Sequence, residues 1–212
     1  ASYTPEKTVH SFEELYDPLA PEEDREFVAR AALGKALIIS TKGGTKEAAR
    51  AAAESLMPYI DVIIGNEEDF ETMLGIKADN TDENYSKIDP MCYKKVAEKV
   101  MEKYPNVQVV GNSLREVTSA CLNNWQCVMM TRNGYFVSRK YMNIEIYDRV
   151  GGGDSFASGL IWNLLNGRPE QECIDFAAAY SALCHTIRND WNLVTTEEAY
   201  DVMNGGSARV KR

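Results

Sequence analysis

What the chain lacks narrows it first. Nowhere in its 212 residues does an apolar run approach the roughly 20 needed to cross a bilayer. Residues 1–12 are polar and lack the charged-then-apolar layout of a signal peptide, so a cytoplasmic protein is expected. Positive charge is short as well. With 23 Lys and Arg against 32 Asp and Glu, the net charge of −9 argues against a nucleic-acid or anionic-membrane surface. Histidine is scarcer still: His10 and His185 are the only imidazoles, and a structural zinc site is not expected. The cysteines, Cys92, Cys121, Cys127, Cys173 and Cys184, form no C-x-x-C pair and read as reduced, packed thiols. Two nucleotide motifs are also missing. No G-x-x-x-x-G-K-[ST] loop occurs, and Gly151-Gly152-Gly153 does not continue as G-x-G-x-x-G, since Phe156 takes the third glycine's place. That disfavours a P-loop ATPase and a nicotinamide-binding dehydrogenase.

What is present suits a globular domain, with 44% hydrophobic residues and enough length to bury a core. The chain is organised around Asp148-Arg149-Val150-Gly151-Gly152-Gly153-Asp154-Ser155-Phe156-Ala157-Ser158-Gly159. An alternating run, Tyr141 to Tyr147, precedes it, and Phe156, Leu160, Ile161, Leu164 and Leu165 follow at helical spacing. This spells strand, glycine turn, helix. Glycines without Cβ atoms let an anion approach the main chain, where the amides and dipole of a helix start favour negative charge. Asp154 then stands beside the place where phosphate charge gathers. Amides stabilising a transferring group and a carboxylate accepting a hydroxyl proton are what phosphoryl transfer requires. The same residues also suit a simpler role, because Asp is a favoured N-cap and glycine turns precede many helices.

The rest of the chain reads as alternating helices and strands. Pro21 opens a helix to about Leu33, and Lys35 to Ser40 is a short strand. Thr45 caps an alanine-rich helix through Met57, and Ile60 to Ile64 is a buried strand. Gly65-Asn66-Glu67-Glu68-Asp69-Phe70 then opens a helix to about Leu74. A strand end running into polar residues at a helix start is where open α/β sheets place ligands, although Asn66 is also a good N-cap. A polar connection over residues 77–90 leads to a helix from Met91 to Lys103. The strand Val107 to Val110 follows, running into a loop from Gly111 to Glu116. There Arg115 can pair with phosphate and Ser113 can donate a hydroxyl, or both can be plain surface residues. Arg132-Asn133-Gly134 between apolar runs predicts a hairpin. Pro169 starts a helix to about His185, Thr195 to Met203 forms a last one, and a basic tail ends the chain.

Several ordered motifs together resemble the ribokinase-like (PfkB) carbohydrate kinases, in particular the 2-keto-3-deoxygluconate kinases. The D-R-V-G-G-G-D run is similar to their C-terminal signature, N-E-E-D to their N-x-x-E motif, and S-L-R-E to the matching strand end. The resemblance runs from about Ala48 to Arg212. It implies a three-layer αβα sandwich around a mostly parallel central sheet, shortened at its N-terminus. About forty residues precede the matching region, with no lid strands, no N-terminal glycine pair and no D-x-N-x-R run. Residues 1–40 are therefore expected as a divergent N-terminal segment and residues 41–212 as a nucleotide-binding core.

The implied activity is ATP-dependent phosphorylation of a sugar or sugar-acid hydroxyl, with Mg²⁺. On that resemblance Asp154 is the base, and Gly151, Gly152 and Gly153 form the anion hole. Asn66, Ser113 and Arg115 serve the nucleotide phosphates. Asp69, standing where the family has Glu, and Glu68 serve the magnesium. Ala182, His185 and Asn189 pack beside the adenine. The partner is a small molecule, with no nucleic acid and no membrane, and relatives are commonly dimers. Since most of the sugar-binding half is absent, a nucleotide-binding remnant or a subunit that needs a partner is the alternative.

Overall fold

A computed structural model describes residues 46–66, 68–78, 89–119, 121–188 and 191–206. The helix expected from Pro21, the strand at Lys35 to Ser40, the cap at Thr45, Asn189 and the basic tail lie outside the described residues.

The alanine-rich stretch forms α1 (Lys46–Leu56), which passes through a 3-10 turn at Met57–Tyr59 into β1 (Val62–Gly65). After α2 (Asp69–Leu74), Asp89 caps α3 (Pro90–Lys103) by accepting the Met91 N–H at 2.9 Å, with Pro90 at the first helical position. Four strands follow: β2 (Val109–Val117), β3 (Leu122–Thr131), β4 (Gly134–Val137) and β5 (Tyr141–Glu145). The chain closes with α4 (Gly152–Leu165), α5 (Glu170–Cys184) and α6 (Thr196–Met203). A full capping box, Thr195 with Glu198, starts the last of these.

The five strands form one sheet in the order β1-β2-β3-β4, with β5 also on β3. Among the described residues only β1 and β2 run parallel; β2–β3, β3–β4 and β3–β5 are antiparallel. The α/β class holds, but among the described residues the sheet is mixed where a mostly parallel one was expected. The reason is β3. Its ten residues are long enough to pair β4 near one end and β5 near the other, so the chain doubles back on itself.

Side chains alternate across the sheet with period two and define two cores. Val110, Leu114, Val128 and Met130 pack with Tyr93, Val96 and Val100 of α3 on one face. Val109, Trp125, Cys127 and Met129 pack with Phe156 and Leu160 of α4 and Ile174 and Ala177 of α5 on the other. Each buried Val, Leu, Ile, Phe or Met among them contributes about 1.5–3 kcal/mol relative to exposure. Helices α4 and α5 approach closely at Gly159, where a Cβ would lie 3.3 Å from the Ala177 Cα.

The loop expected from Gly111 to Glu116 does not exist. These residues are the body of β2, each paired with β3. Gly111 is there for packing, since a Cβ would lie 2.9 Å from Leu160 Cδ2 of α4.

Candidate functional site

The glycine turn is a helix start with three differently constrained glycines. Gly151, the residue before α4, has φ +81°, a left-handed conformation that strains other residues. At Gly152 a Cβ would stand 2.6 Å from Cε1 and Nε2 of His185, so a side chain has no room. Gly153 meets neither constraint: its φ is unexceptional and a Cβ there would touch nothing within 4 Å. Gly153 and Asp154 are both exposed, whereas Gly151 and Gly152 are buried.

Among the described residues no side chain caps this helix, whose N-cap is Gly151. The first amide to close a helical bond is Ser155 N–H, onto the Gly151 carbonyl at 2.8 Å. The amides of Gly152, Gly153 and Asp154 precede it and have no carbonyl one turn back to bond. Asp154 is therefore in the first turn, not at the cap, which sets aside its capping role. Immediately upstream, Asp148 Oδ1 accepts the Val150 N–H at 3.1 Å and shapes the entry to the turn.

Beneath the turn lies the end of α5. His185 is 3% exposed, and its carbonyl accepts the Tyr147 N–H at 2.8 Å and the Asp148 N–H at 3.3 Å. Its Nδ1 is 2.7 Å from the Ser181 carbonyl, and its ring lies 4.5 Å from that of Trp125. Trp125 Nε1 in turn donates to Ser181 Oγ at 2.8 Å. Burial holds the imidazole's pKa below its ordinary value, and the charges of Arg115 and Arg149 act in the same direction against the Ser181 bond. Both guanidinium groups thus bear on the ring beneath the glycine turn.

Ser113 and Arg115 share the strand parity of Val109 and so face the α4–α5 side of β2. Ser113 is buried, opposite Cys127. Arg115 is half-buried, and its Nε has no hydrogen-bond partner among the described residues. Ala182 is 5% exposed within the α4–α5 core, well packed rather than lining an open face.

The second strand-to-helix turn is built differently. Asn66 Oδ1 accepts the amides of Glu68 at 2.8 Å and Asp69 at 3.2 Å, while Asp69 Oδ2 accepts the Asn66 N–H at 2.7 Å. Asn66 and Asp69 form a reciprocal cap, and α2 begins only at Asp69. Glu68 and Asp69 are exposed, and among the described residues no group of three or more acids, His or Cys could hold a metal. The 65–69 turn follows β1 and the glycine turn follows β5, which like β2 runs antiparallel to β3, so both turns lie at the end of the sheet where α/β sheets place ligands.

Sequence reasoning missed the residues that hold these turns. Asn112, buried in β2, donates from Nδ2 to the Asn66 carbonyl at 2.9 Å. Asn192 reaches from beyond α5 to Ser155 Oγ at 3.1 Å and the Tyr180 carbonyl at 3.0 Å, stapling that segment to the first turns of α4. Trp125 supports His185. The available signal was a polar residue inside an apolar strand pattern, as in Gly111-Asn112-Ser113 and Asn123-Asn124-Trp125.

Residues 127–193, which include the glycine turn, α4 and α5, match the family model for pfkB family carbohydrate kinases. A 2-dehydro-3-deoxygalactonokinase of Haloferax volcanii is 25% identical over 164 residues, covering 77% of this chain and 44% of that protein. The crystal structure of 2-dehydro-3-deoxygluconokinase from Thermotoga maritima superposes with a TM-score of 0.71 at 35% identity, over 90% of this chain and 59% of that one. A putative ribokinase II from E. coli, solved with ATP and Mg²⁺, has a TM-score of 0.56 at 16% identity, over 84% of this chain and 54% of that one, and shares the fold alone. The chain therefore spans about half the length of the relatives it matches.

Proposed function

We propose, from the premise that this chain is a relative of the pfkB family carbohydrate kinases, that it carries the phosphoryl-transfer site of an ATP-dependent sugar or sugar-acid kinase. One observation carries the reading. The first turn of α4 leaves three backbone amides uncapped, with open space over Gly153 and an exposed carboxylate, Asp154, next to it. The amides of Gly152, Gly153 and Asp154 would hold the charge that develops on the transferring phosphoryl group, aided by the helix dipole. Asp154 would take the proton of the attacking hydroxyl as general base. Arg115, on the same face of the sheet, would add cationic charge toward the phosphates. Ser113, in the body of β2 on that same face, and Asn66, just past the end of β1, would serve the nucleotide phosphates.

Mg²⁺, when bound, neutralises phosphate charge. The donors fit it in the way this ion is usually held, by one or two carboxylates with water and substrate phosphates instead of a protein cage. Asp69 and Glu68 would supply those carboxylates, with Asp69 oriented by the Asn66 N–H. The names of the relatives support a 2-keto-3-deoxy sugar acid as the class of acceptor.

Replacing the base tests the reading directly. Asp154→Asn should lower turnover by about 10²–10⁴ with nucleotide affinity changed little, measured by steady-state kinetics and calorimetry. Turnover retained within a few-fold would remove Asp154 from the mechanism. A second reading is motivated by the 44% to 59% of relatives' length that this chain covers: a nucleotide-binding unit that needs another polypeptide to complete the sugar site. Binding of ATP–Mg²⁺ without transfer to any sugar acid would favour it.

A further inference from the structure

We infer that His185 is a positioning residue that sets the phosphate-holding amides of the glycine turn, and is not itself a nucleotide contact. The functional consequence rests on the reading above; the structural claim does not. A His at a helix end is ordinarily a capping group, and this one does cap. The Ser181 carbonyl can only accept a hydrogen bond, so Nδ1 carries the proton and satisfies one of the last open carbonyls of α5. What capping leaves unexplained is the other side of the ring.

Three contacts converge on this residue, two through the ring and one through its carbonyl. The Cε1 and Nε2 edge fills the space a side chain on residue 152 would need. The His185 carbonyl fixes Tyr147 and Asp148, the residues that enter the turn. Trp125 of β3 supports the ring and is itself tied to Ser181 through Nε1. One residue thus touches the glycine turn from below and its entry from the side, while the sheet and α5 hold that residue still. Buried to 3% exposure, it has little surface to offer an adenine. Anion-holding donors work only when placed to within a fraction of an ångström, which rigid support of this kind supplies.

The test compares His185→Ala with the ring-keeping His185→Phe in the whole chain, using binding of inorganic tripolyphosphate, adenosine and ATP–Mg²⁺. Amide NMR signals of residues 152–154 are followed in parallel. Loss of the ring should weaken tripolyphosphate binding about tenfold or more and leave adenosine binding nearly unchanged, with His185→Phe recovering most of the loss. The amides of Gly152 and Gly153 should move in His185→Ala and stay near their parent positions in His185→Phe. Adenosine binding lost with tripolyphosphate binding kept would make His185 an adenine contact and overturn the inference. Amide signals of residues 152–154 unmoved by His185→Ala would overturn it whatever the protein binds. Parent protein that binds neither tripolyphosphate nor ATP sinks the kinase reading instead, while the amide comparison still decides the role of His185. Should His185→Ala fail to fold, His185→Gln, which can still donate to Ser181 but has no ring under Gly152, carries the same expectations.

Discussion

Two turns at the same end of the sheet both lead a strand into a helix, yet they handle backbone amides in opposite ways. At residues 65–69 the chain satisfies itself: Asn66 takes two amides and Asp69 returns a third bond to Asn66. At residues 151–154 no side chain caps, and the space above Gly153 is open. A helix start that spends its amide donors on its own side chains has none left for an anion, whatever its carboxylates do. One that leaves them unspent, beside a carboxylate and with no Cβ in the way, is arranged for something that arrives from outside.

If that contrast is real, filling the open turn should hurt binding and spare the fold. Gly153→Ala introduces a Cβ that meets nothing within 4 Å and removes a flexible residue from a helix. Stability should hold or rise by up to about 1 kcal/mol, while phosphate affinity should fall about tenfold because the new methyl occupies the approach to the amides. Thermal unfolding and ATP–Mg²⁺ calorimetry read the two effects separately. A variant that binds as the parent does would mean the open space is not where phosphate enters.

The self-capped turn should respond the other way, and more weakly. Asn66→Ala strips the acceptor from the amides of Glu68 and Asp69. Losing such a cap costs about 1 kcal/mol, and hence about 2–4 °C in Tm for a chain of this size. An unchanged Tm would show that water replaces the Asn66 carbonyl oxygen at no cost, and the distinction between the turns would narrow.

Much of this was legible before any coordinates. The glycine turn, the helix after it and the Arg132-Asn133-Gly134 hairpin each follow from local backbone preferences, which a sequence states directly. So does the last helix, expected from Thr195 to Met203 and found at Thr196–Met203. What stayed hidden depends on partners distant in the chain. Gly111-Asn112-Ser113 reads as a loop because those residues favour turns, but Leu160 of α4 demands the glycine and β3 pairs the whole segment. Likewise the pairing of β5 with β3, and of β3 along the whole of β2, is a choice no local pattern encodes. His185 was read as a contact beside a nucleotide; its position under Gly152 emerges only once α5 and α4 are packed.

The smallest expected effect concerns pH, and its sign follows from that packing. Burial, with Arg115 and Arg149 adding to it, depresses the pKa of His185 in the folded chain. As pH falls below the unfolded value of about 6.5, the unfolded chain takes up a proton that the folded chain still refuses, so stability drops. The loss begins near that pH and levels off once the folded imidazole also protonates. Carboxylates held low in the fold, such as Glu54 and Glu198, act in a separate window, below their ordinary value of 4.5. Thermal unfolding of the parent and of His185→Phe between about pH 5 and 7.5 isolates the contribution, because the two proteins differ only at that ring. The parent should lose stability toward acid more steeply than the variant. Identical slopes would mean that the folded chain admits a charge on His185 as readily as water does, and the ring beneath the glycine turn would then be far less confined than its contacts imply.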